Sequence, residues 1–289
     1  MGDEKKFAQA IAQARTALAM LRQSGGERNA LGVRIWYDLG RYFRSAGNRR
    51  EAEAGFRQAL DISQDRFGIN HPLNGPSQQA LAEILIEKNE LDEAARLLTA
   101  SRVHFQVQWG SDDPKIGAIA MQQSKVALLR DNAQDGIAFA TEAQNIFSVS
   151  KQITSYIDAT CLLAQAQSLQ ERGSPTAKKT TEECVSLATK YPSPNTQRHF
   201  VEMANIAMDG NDVTKADRLL KMAASASKTS SAGLVLAWLR LQELQKSFAL
   251  DEGVFDKVRI TLRQQIPVQE DLLRAVEALR ASFYCRTQR

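Results

Sequence analysis

Cysteine is scarce in this chain. There are three in 289 residues: Cys161, Cys184 and Cys285. An odd, sparse set argues against a disulfide framework and for a reducing compartment, and buried thiols are the plainer reading of each. Cys161 falls early on one expected helix and Cys184 late on its antiparallel partner, so the two are expected to be neighbours. Histidine is no more common. His71, His104 and His199 are scattered, with no HExxH pair and no Cys/His cluster at metal spacing. The glycine signatures of nucleotide sites, GxGxxG and GxxxxGK[ST], are missing, as is the GxSxG of hydrolases. Paired carboxylates such as Asp112-Asp113 and Glu182-Glu183 sit at expected helix starts or exposed turns, where the helix dipole accounts for them. These absences point away from an enzyme, and no cofactor or metal is expected.

Long apolar runs are lacking too. Nothing approaches the ~18–20 residues of a membrane-spanning helix, and no basic-then-apolar leader opens the chain. Lys6 stands where a myristoylation signal needs Ser or Thr. A cytoplasmic protein without membrane contact is the expectation. Excess charge of one sign is also absent: 37 Lys and Arg face 33 Asp and Glu. Residues 1–60 carry a net +5 and the remainder a net −1. This speaks against an RNA-binding helical-repeat protein, which needs a continuous basic face, while leaving the N-terminal region locally basic.

What the chain does have is a repeat. Between Leu31 and Leu60 stand Trp36-x2-Leu39-Gly40-x2-Phe43 and then Ala52-x3-Phe56-x2-Ala59. Gly40, Ala52 and Ala59 are small enough to let two antiparallel helices approach, and the large apolar residues between them fill the remaining gaps. Ser45-Ala46-Gly47-Asn48 reads as the turn. The pattern returns every 42 residues. Gly47, Asn89, Asp131 and Gly173 keep that step at successive turns, and Ala10, Ala52, Ala94 and Gly136 keep it at small positions. Gly26, Gly68 and Gly110 keep it at the links, with Pro72 and Pro114. These residues resemble the tetratricopeptide repeat, a helix–turn–helix unit of about 34 residues. The longer step, with Phe67-Gly68-x2-His71-Pro72 and Trp109-Gly110-x3-Pro114 between units, resembles the long-repeat subclass typified by kinesin light chains.

The resemblance implies an all-α, right-handed α-solenoid of stacked antiparallel helix pairs, read as one domain over residues 1–289. An N-terminal half-repeat helix is expected over 3–24. Helix pairs follow at 31–67, 76–108, 114–150, 154–190, 195–227 and 231–265, and a capping helix closes the array over 268–285. The step into the fifth pair shortens to about 38 residues. Asp113-Pro114 and Ser174-Pro175 mark helix starts.

In this family the first helix of each unit faces a concave groove. Arg34, Tyr37, Arg41 and Arg44 share one helix face away from the packing residues. The same register brings Gln79, Glu83 and Glu87 from the second unit, Met121, Gln122 and Lys125 from the third, Leu163, Gln167 and Gln170 from the fourth, and Arg198, Val201 and Asn205 from the fifth. Amides suit the backbone of an extended peptide and arginines suit its carboxylates. The chaperone-tail clamp of the family is absent, because Tyr37-x3-Arg41 stands for its Lys-x3-Asn, Gln79 or Glu83 for its next Asn, and Met121-x3-Lys125 for its Lys-x3-Arg. The expected function is non-catalytic: a protein–protein interaction scaffold or adaptor that binds a partner peptide or helix, with an acidic segment docking at the first unit. The alternative is a ligand- or peptide-responsive sensor. The unpaired N-terminal helix leaves one side open, as in a homodimer seam or part of a longer chain.

Overall fold

The computed structural model describes residues 2–227 and 232–244. Twelve helices and no strand run through the described residues. The end of the sixth expected pair, the capping helix over 268–285 and Cys285 lie outside them. The chain divides into two compact units, Met1–Lys151 and Gln152–Arg289.

Unit 1 holds α1 (Gly2–Gln23), α2 (Ala30–Ser45), α3 (Arg49–Phe67), α4 (Asn74–Glu87), α5 (Leu91–Trp109), α6 (Pro114–Leu129) and α7 (Ala133–Val149). The strongest packing joins α2 to α3, α4 to α5 and α6 to α7. Each second helix then leans on the first helix of the next pair, α3 on α4 and α5 on α6, while α1 leans on α2. Leu39, Phe56, Leu81, Leu85, Leu98, Ile116 and Ile119 are fully buried in one continuous core. Leu18 of α1 belongs to that core, with Ile11 and Ala14 packed against it. This is solenoid construction, in which a pair buries its apolar faces only against its neighbours.

The turns explain the 42-residue step. Gly47, Asn89, Asp131 and Gly173 all have positive φ, at 80°, 62°, 56° and 72°. Glycine meets no steric penalty there, and Asn and Asp tolerate it better than other residues. At Gly47 the next amide, Asn48 N–H, donates to Phe43 O at 2.8 Å, and Gly47 N–H donates to Arg44 O at 3.0 Å. That pair of bonds is a Schellman stop, and it satisfies carbonyls the helix would leave bare. It recurs where Glu90 N–H meets Leu85 O and where Asn132 N–H meets Ala127 O. Helix starts are capped by side chains: Asn29 accepts from Gly32 N–H at 3.0 Å, Asp113 from Lys115 N–H at 2.9 Å and Ser174 from Ala177 N–H at 3.2 Å. Pro114 and Pro175 follow their caps at the first helical position, where no N–H is needed.

Gly40 meets α3 closely. A Cβ added there would lie 2.6 Å from the Phe56 ring. Its true backbone partner is Gly55, where an added Cβ would stand 2.9 Å from Gly40 N. The two helices approach glycine to glycine.

Unit 2 holds α8 (Ile153–Gln170), α9 (Pro175–Lys190), α10 (Thr196–Asp209), α11 (Val213–Ser225) and α12 (Ala232–Leu244). α8 pairs with α9, α10 pairs with α11, and α12 packs on both α10 and α11. The turn before α11 repeats the Schellman stop at Asn211, φ 58°, with Asp212 N–H on Ala207 O at 2.8 Å. Asn211 follows Gly173 by 38 residues. Cys161 and Cys184 are joined as a disulfide, with Cα atoms 5.1 Å apart, and both are buried. The reading of these two as free buried thiols is corrected: the antiparallel α8 and α9 bring their side chains face to face.

Candidate functional site

In unit 1 the first helices α2, α4 and α6 each present a polar row beside their packing face. On α2, Leu39, Gly40 and Phe43 are buried, so the residues one face away, Arg34, Tyr37, Arg41 and Arg44, are left at the surface or half-buried. Arg44 forms an ion pair with Glu83 of α4, and Glu83 in turn accepts a hydrogen bond from the Gln122 amide of α6. Three of the expected groove residues, on three successive repeats, therefore make one connected chain. Gln122 is buried, and its Oε1 has no hydrogen-bond partner. Gln79 and Lys125 lie half-buried on the same helices.

Arg34 and Arg41 behave differently from Arg44. Their partner is Asp38 on their own helix, at 3.4 Å and 3.5 Å, and their side chains remain 72% and 59% exposed. Pairs this exposed contribute about 0–1 kcal/mol each, so a ligand carboxylate can replace Asp38 at little cost. Arg41 also lies over the Tyr37 ring, 5.9 Å from its centroid, and that ring tilts against Phe56 at 5.7 Å. Burial pushes the Tyr37 phenol above its ordinary pKa. It stays a neutral hydrogen-bond donor at physiological pH. Sequence reasoning passed over Asp38, although its spacing of four from Arg34 and three from Arg41 is the ordinary signature of a helix-surface pair.

A second ion network runs along the second helices. Arg57 of α3 binds Glu93 of α5 at 2.7 Å and Glu53 of its own helix at 2.9 Å, and Lys88 reaches Glu53 at 3.1 Å. Burial alone would raise the Glu53 carboxyl, but hydrogen bonds from Arg57 and Lys88 outweigh it and hold it below the usual carboxylate range. The hydrogen bond to Glu93, and after it the bond to Glu53, raises the Arg57 guanidinium against the opposing effect of burial. Arg102 of α5 pairs with Glu142 of α7 in the same fashion. These contacts join one repeat to the next, and nothing about them requires a ligand.

Unit 2 presents its own row on α8 and α10. Gln165 donates to Glu202 at 3.0 Å, the counterpart of the Gln122–Glu83 contact. Gln167 and Asn205 are half-buried, and Gln167 Oε1 has no hydrogen-bond partner. Leu163 and Val201, expected to face the groove, are core residues at 7% and 6% exposure. His199, 1% exposed, sits with Nε2 2.7 Å from Asp158, which also accepts from Asn195 at 3.0 Å and has Arg198 3.8 Å away. His71 packs on Phe67 at 4.9 Å and accepts from Leu73 N–H, within the link it was expected to shape. Among the described residues, no group of three or more His, Cys, Asp or Glu is placed to hold a metal ion. None of the described helices is long and apolar enough to cross a membrane.

Residues 3–65 match the sequence model of the tetratricopeptide repeat family. No curated protein sequence matches the chain. Solved structures do match in fold. NprR in complex with its cognate peptide NprX is 14% identical, with a TM-score of 0.66, over 98% of this chain and 86% of that one. The apo form of the quorum sensor NprR from B. thuringiensis is 12% identical, with a TM-score of 0.63, over 97% and 83%. A Podosopora anserina protein named for kinesin light chain, with nearly identical TPR-like repeats, is 18% identical, with a TM-score of 0.56, over 67% and 93%. The tetratricopeptide match thus covers residues 3–65, and in fold the chain is similar to the all-α helical-repeat structures just named.

Proposed function

We propose that this tetratricopeptide-repeat chain is a non-catalytic interaction protein whose first-helix row in unit 1 captures an extended segment of a partner. The observation that supports this is the division of labour among the arginines. Arg44 is committed to the Glu83–Gln122 chain across repeats, whereas Arg34 and Arg41 share one weak carboxylate and stay exposed. Two solvent-facing guanidiniums flanking a neutral phenol suit a segment with paired carboxylates, because Arg binds carboxylate in a two-pronged geometry. Gln79, Gln122 and Lys125 extend the row toward the partner's backbone, and Gln167 and Asn205 offer amides in unit 2.

The test is capture from the native lysate with peptide mapping of what is retained. Arg34→Glu with Arg41→Glu should reduce retention of the partner more than tenfold, about 1.4 kcal/mol or more. Arg50→Glu with Arg66→Glu, exposed residues with no ion-pair partner among the described residues, is the matched control. Arg49 cannot serve as a control, since it binds Glu87 of the next repeat at 2.6 Å. Equal retention by wild type and both variants would remove the site.

A peptide-responsive sensor is the second reading. What favours it is the likeness, along 98% of this chain, to a structure described with its cognate peptide bound. On that reading the captured segment is a short free peptide, and synthetic acidic peptides should bind the purified chain and change its small-angle scattering profile. A cytoplasmic location remains a proposal and sits uneasily with the Cys161–Cys184 bond, which is at home in oxidising surroundings. Counting free thiols in protein taken from its native cell decides the matter. A homodimer through the open side of α1 is tested by light scattering.

A further inference from the structure

The second helices of unit 2, α9 and α11, leave an open groove between them of about 990 Å³. Its floor is Ile206 and Ala207 of α10, and Val185, Leu219 and Met222 line its walls. Its rim is basic. Four cations, Lys178, Lys190, Lys215 and Arg218, meet two carboxylates, Glu182 and Asp212. Both carboxylates are occupied: Asp212 caps α11 by accepting Lys215 N–H at 3.0 Å, and Glu182 lies 3.5 Å from Lys215 Nζ. Lys190 lies over the Tyr191 ring at 5.1 Å. Lys178 and Arg218 have no ion-pair partner among the described residues. An apolar trough is thus edged by cations that the chain itself does not neutralise.

We infer that this groove docks an acidic amphipathic helix of a partner protein. The apolar floor calls for an apolar face, and the uncompensated rim calls for carboxylates beside it. The backbone decides between a helix and an extended strand. A docked strand must replace the hydrogen bonds its amides made to water. This lining contains no Asn or Gln, and the hydroxyls of Thr181 and Thr189 already donate to Ala177 O and Val185 O of their own helix, which leaves Ser186 on one wall and Thr214 on the other, too few to pair the backbone of an extended segment. A helix brings its own backbone bonds and asks only for burial and charge. The groove's walls are helices of 16 and 13 residues, so an occupant of about four turns matches them in length. The row in unit 1, with its amides, suits an extended segment, and the two surfaces recognise different partners.

The probes are stapled helices of about 14 residues with Leu on one face and either Glu or Lys on the other. Each is labelled and titrated with the full chain by fluorescence anisotropy. The Glu helix should bind, and the Lys helix should bind at least tenfold more weakly. Lys178→Glu with Arg218→Glu, confirmed folded by its melting curve, should weaken the Glu helix at least tenfold. Arg34→Glu with Arg41→Glu should leave its affinity within about twofold, which separates this groove from the proposed site in unit 1. Equal binding of the Glu and Lys helices would overturn the inference, as would no binding of the Glu helix below about 1 mM. So would a double variant of the groove that binds like wild type, or a loss confined to the unit 1 variant.

Discussion

Unit 1 and unit 2 are built from the same helix pair but held together differently. In unit 1 the repeats keep a 42-residue step, α2 and α3 meet glycine to glycine, and ion pairs run from each repeat to the next. In unit 2 the step falls to 38, the closest helix contact is covalent at Cys161–Cys184, and a buried Asp158–His199 pair joins α8 to α10. Regular spacing lets equivalent side chains meet again and again, so many weak contacts can share the work. Where the spacing slips, a disulfide and the Asp158–His199 contact stand, among the described residues, beside weak pairs such as Lys215–Glu182 and Arg240–Asp209. The comparison predicts that unit 1 responds to steric change and unit 2 to chemistry.

The largest effect should come from the disulfide. Reduction, or Cys161→Ser with Cys184→Ser, frees a loop with a sequence separation of 23. Loop-closure entropy puts the loss at about 2–4 kcal/mol. Hydrogen exchange should then accelerate in α8 and α9 while α2 and α3 keep their protection. Uniform acceleration, or none, would break the contrast between the units. Next comes Gly40→Leu in unit 1, where the new side chain runs into the Phe56 ring. Overpacking of this kind costs about 1–3 kcal/mol. Gly55→Leu should cost at least as much, because its obstacle is the α2 backbone, which a rotamer change cannot clear. If both variants melt like wild type, the helices do not approach as described.

How much of this was legible follows from what each feature requires. The turns were legible because positive φ admits few residues, and Gly47, Asn89, Asp131 and Gly173 advertise it at one step. The capped starts at Asp113-Pro114 and Ser174-Pro175 were legible for the same local reason. Gly55 was not, since the Ala52, Phe56 and Ala59 pattern already accounted for α3 and one further small residue added no periodic signal. The Arg44–Glu83–Gln122 chain was half legible: its members stood in the expected row, but pairing across 39 residues depends on how one repeat rests on the next. The proximity of Cys161 and Cys184 could be read from antiparallel helices, whereas their bonding depends on two side chains turning toward each other. Leu163 and Val201 were misplaced because the register says which positions are equivalent and not what packs on them: Leu163 keeps the step of 42 residues from Met121 and is buried all the same.

The smallest effect, and the sharpest, concerns Asp158. Burial alone would raise its carboxyl, but His199 at 2.7 Å, Arg198 and the Asn195 amide outweigh that and hold it below the ordinary carboxylate range. A carboxylate depressed in the folded state binds protons less readily there than in the unfolded chain. Its contribution is therefore fully present above about pH 5, where even the unfolded group is ionised, and it fades as the pH falls through the unfolded and then the depressed value. Asp158→Asn keeps most of the shape and removes the charge. It should reduce protection of the α8 and α10 amides at pH 7 by about 1 kcal/mol, in line with the loss of charged hydrogen bonds at a mostly buried site. The gap between variant and wild type should narrow steadily from pH 5 toward pH 3, because acid removes from wild type what the substitution has already taken. In unit 1, Glu53 is depressed by Arg57 and Lys88, 42% and 41% exposed, with no partner as buried as His199. Glu53→Gln should change protection in α3 and α5 far less over the same range. A gap at Asp158 that stays constant with pH would mean that α8 and α10 are held by packing alone, and equal acid responses at Asp158 and Glu53 would mean that the two units do not differ in kind.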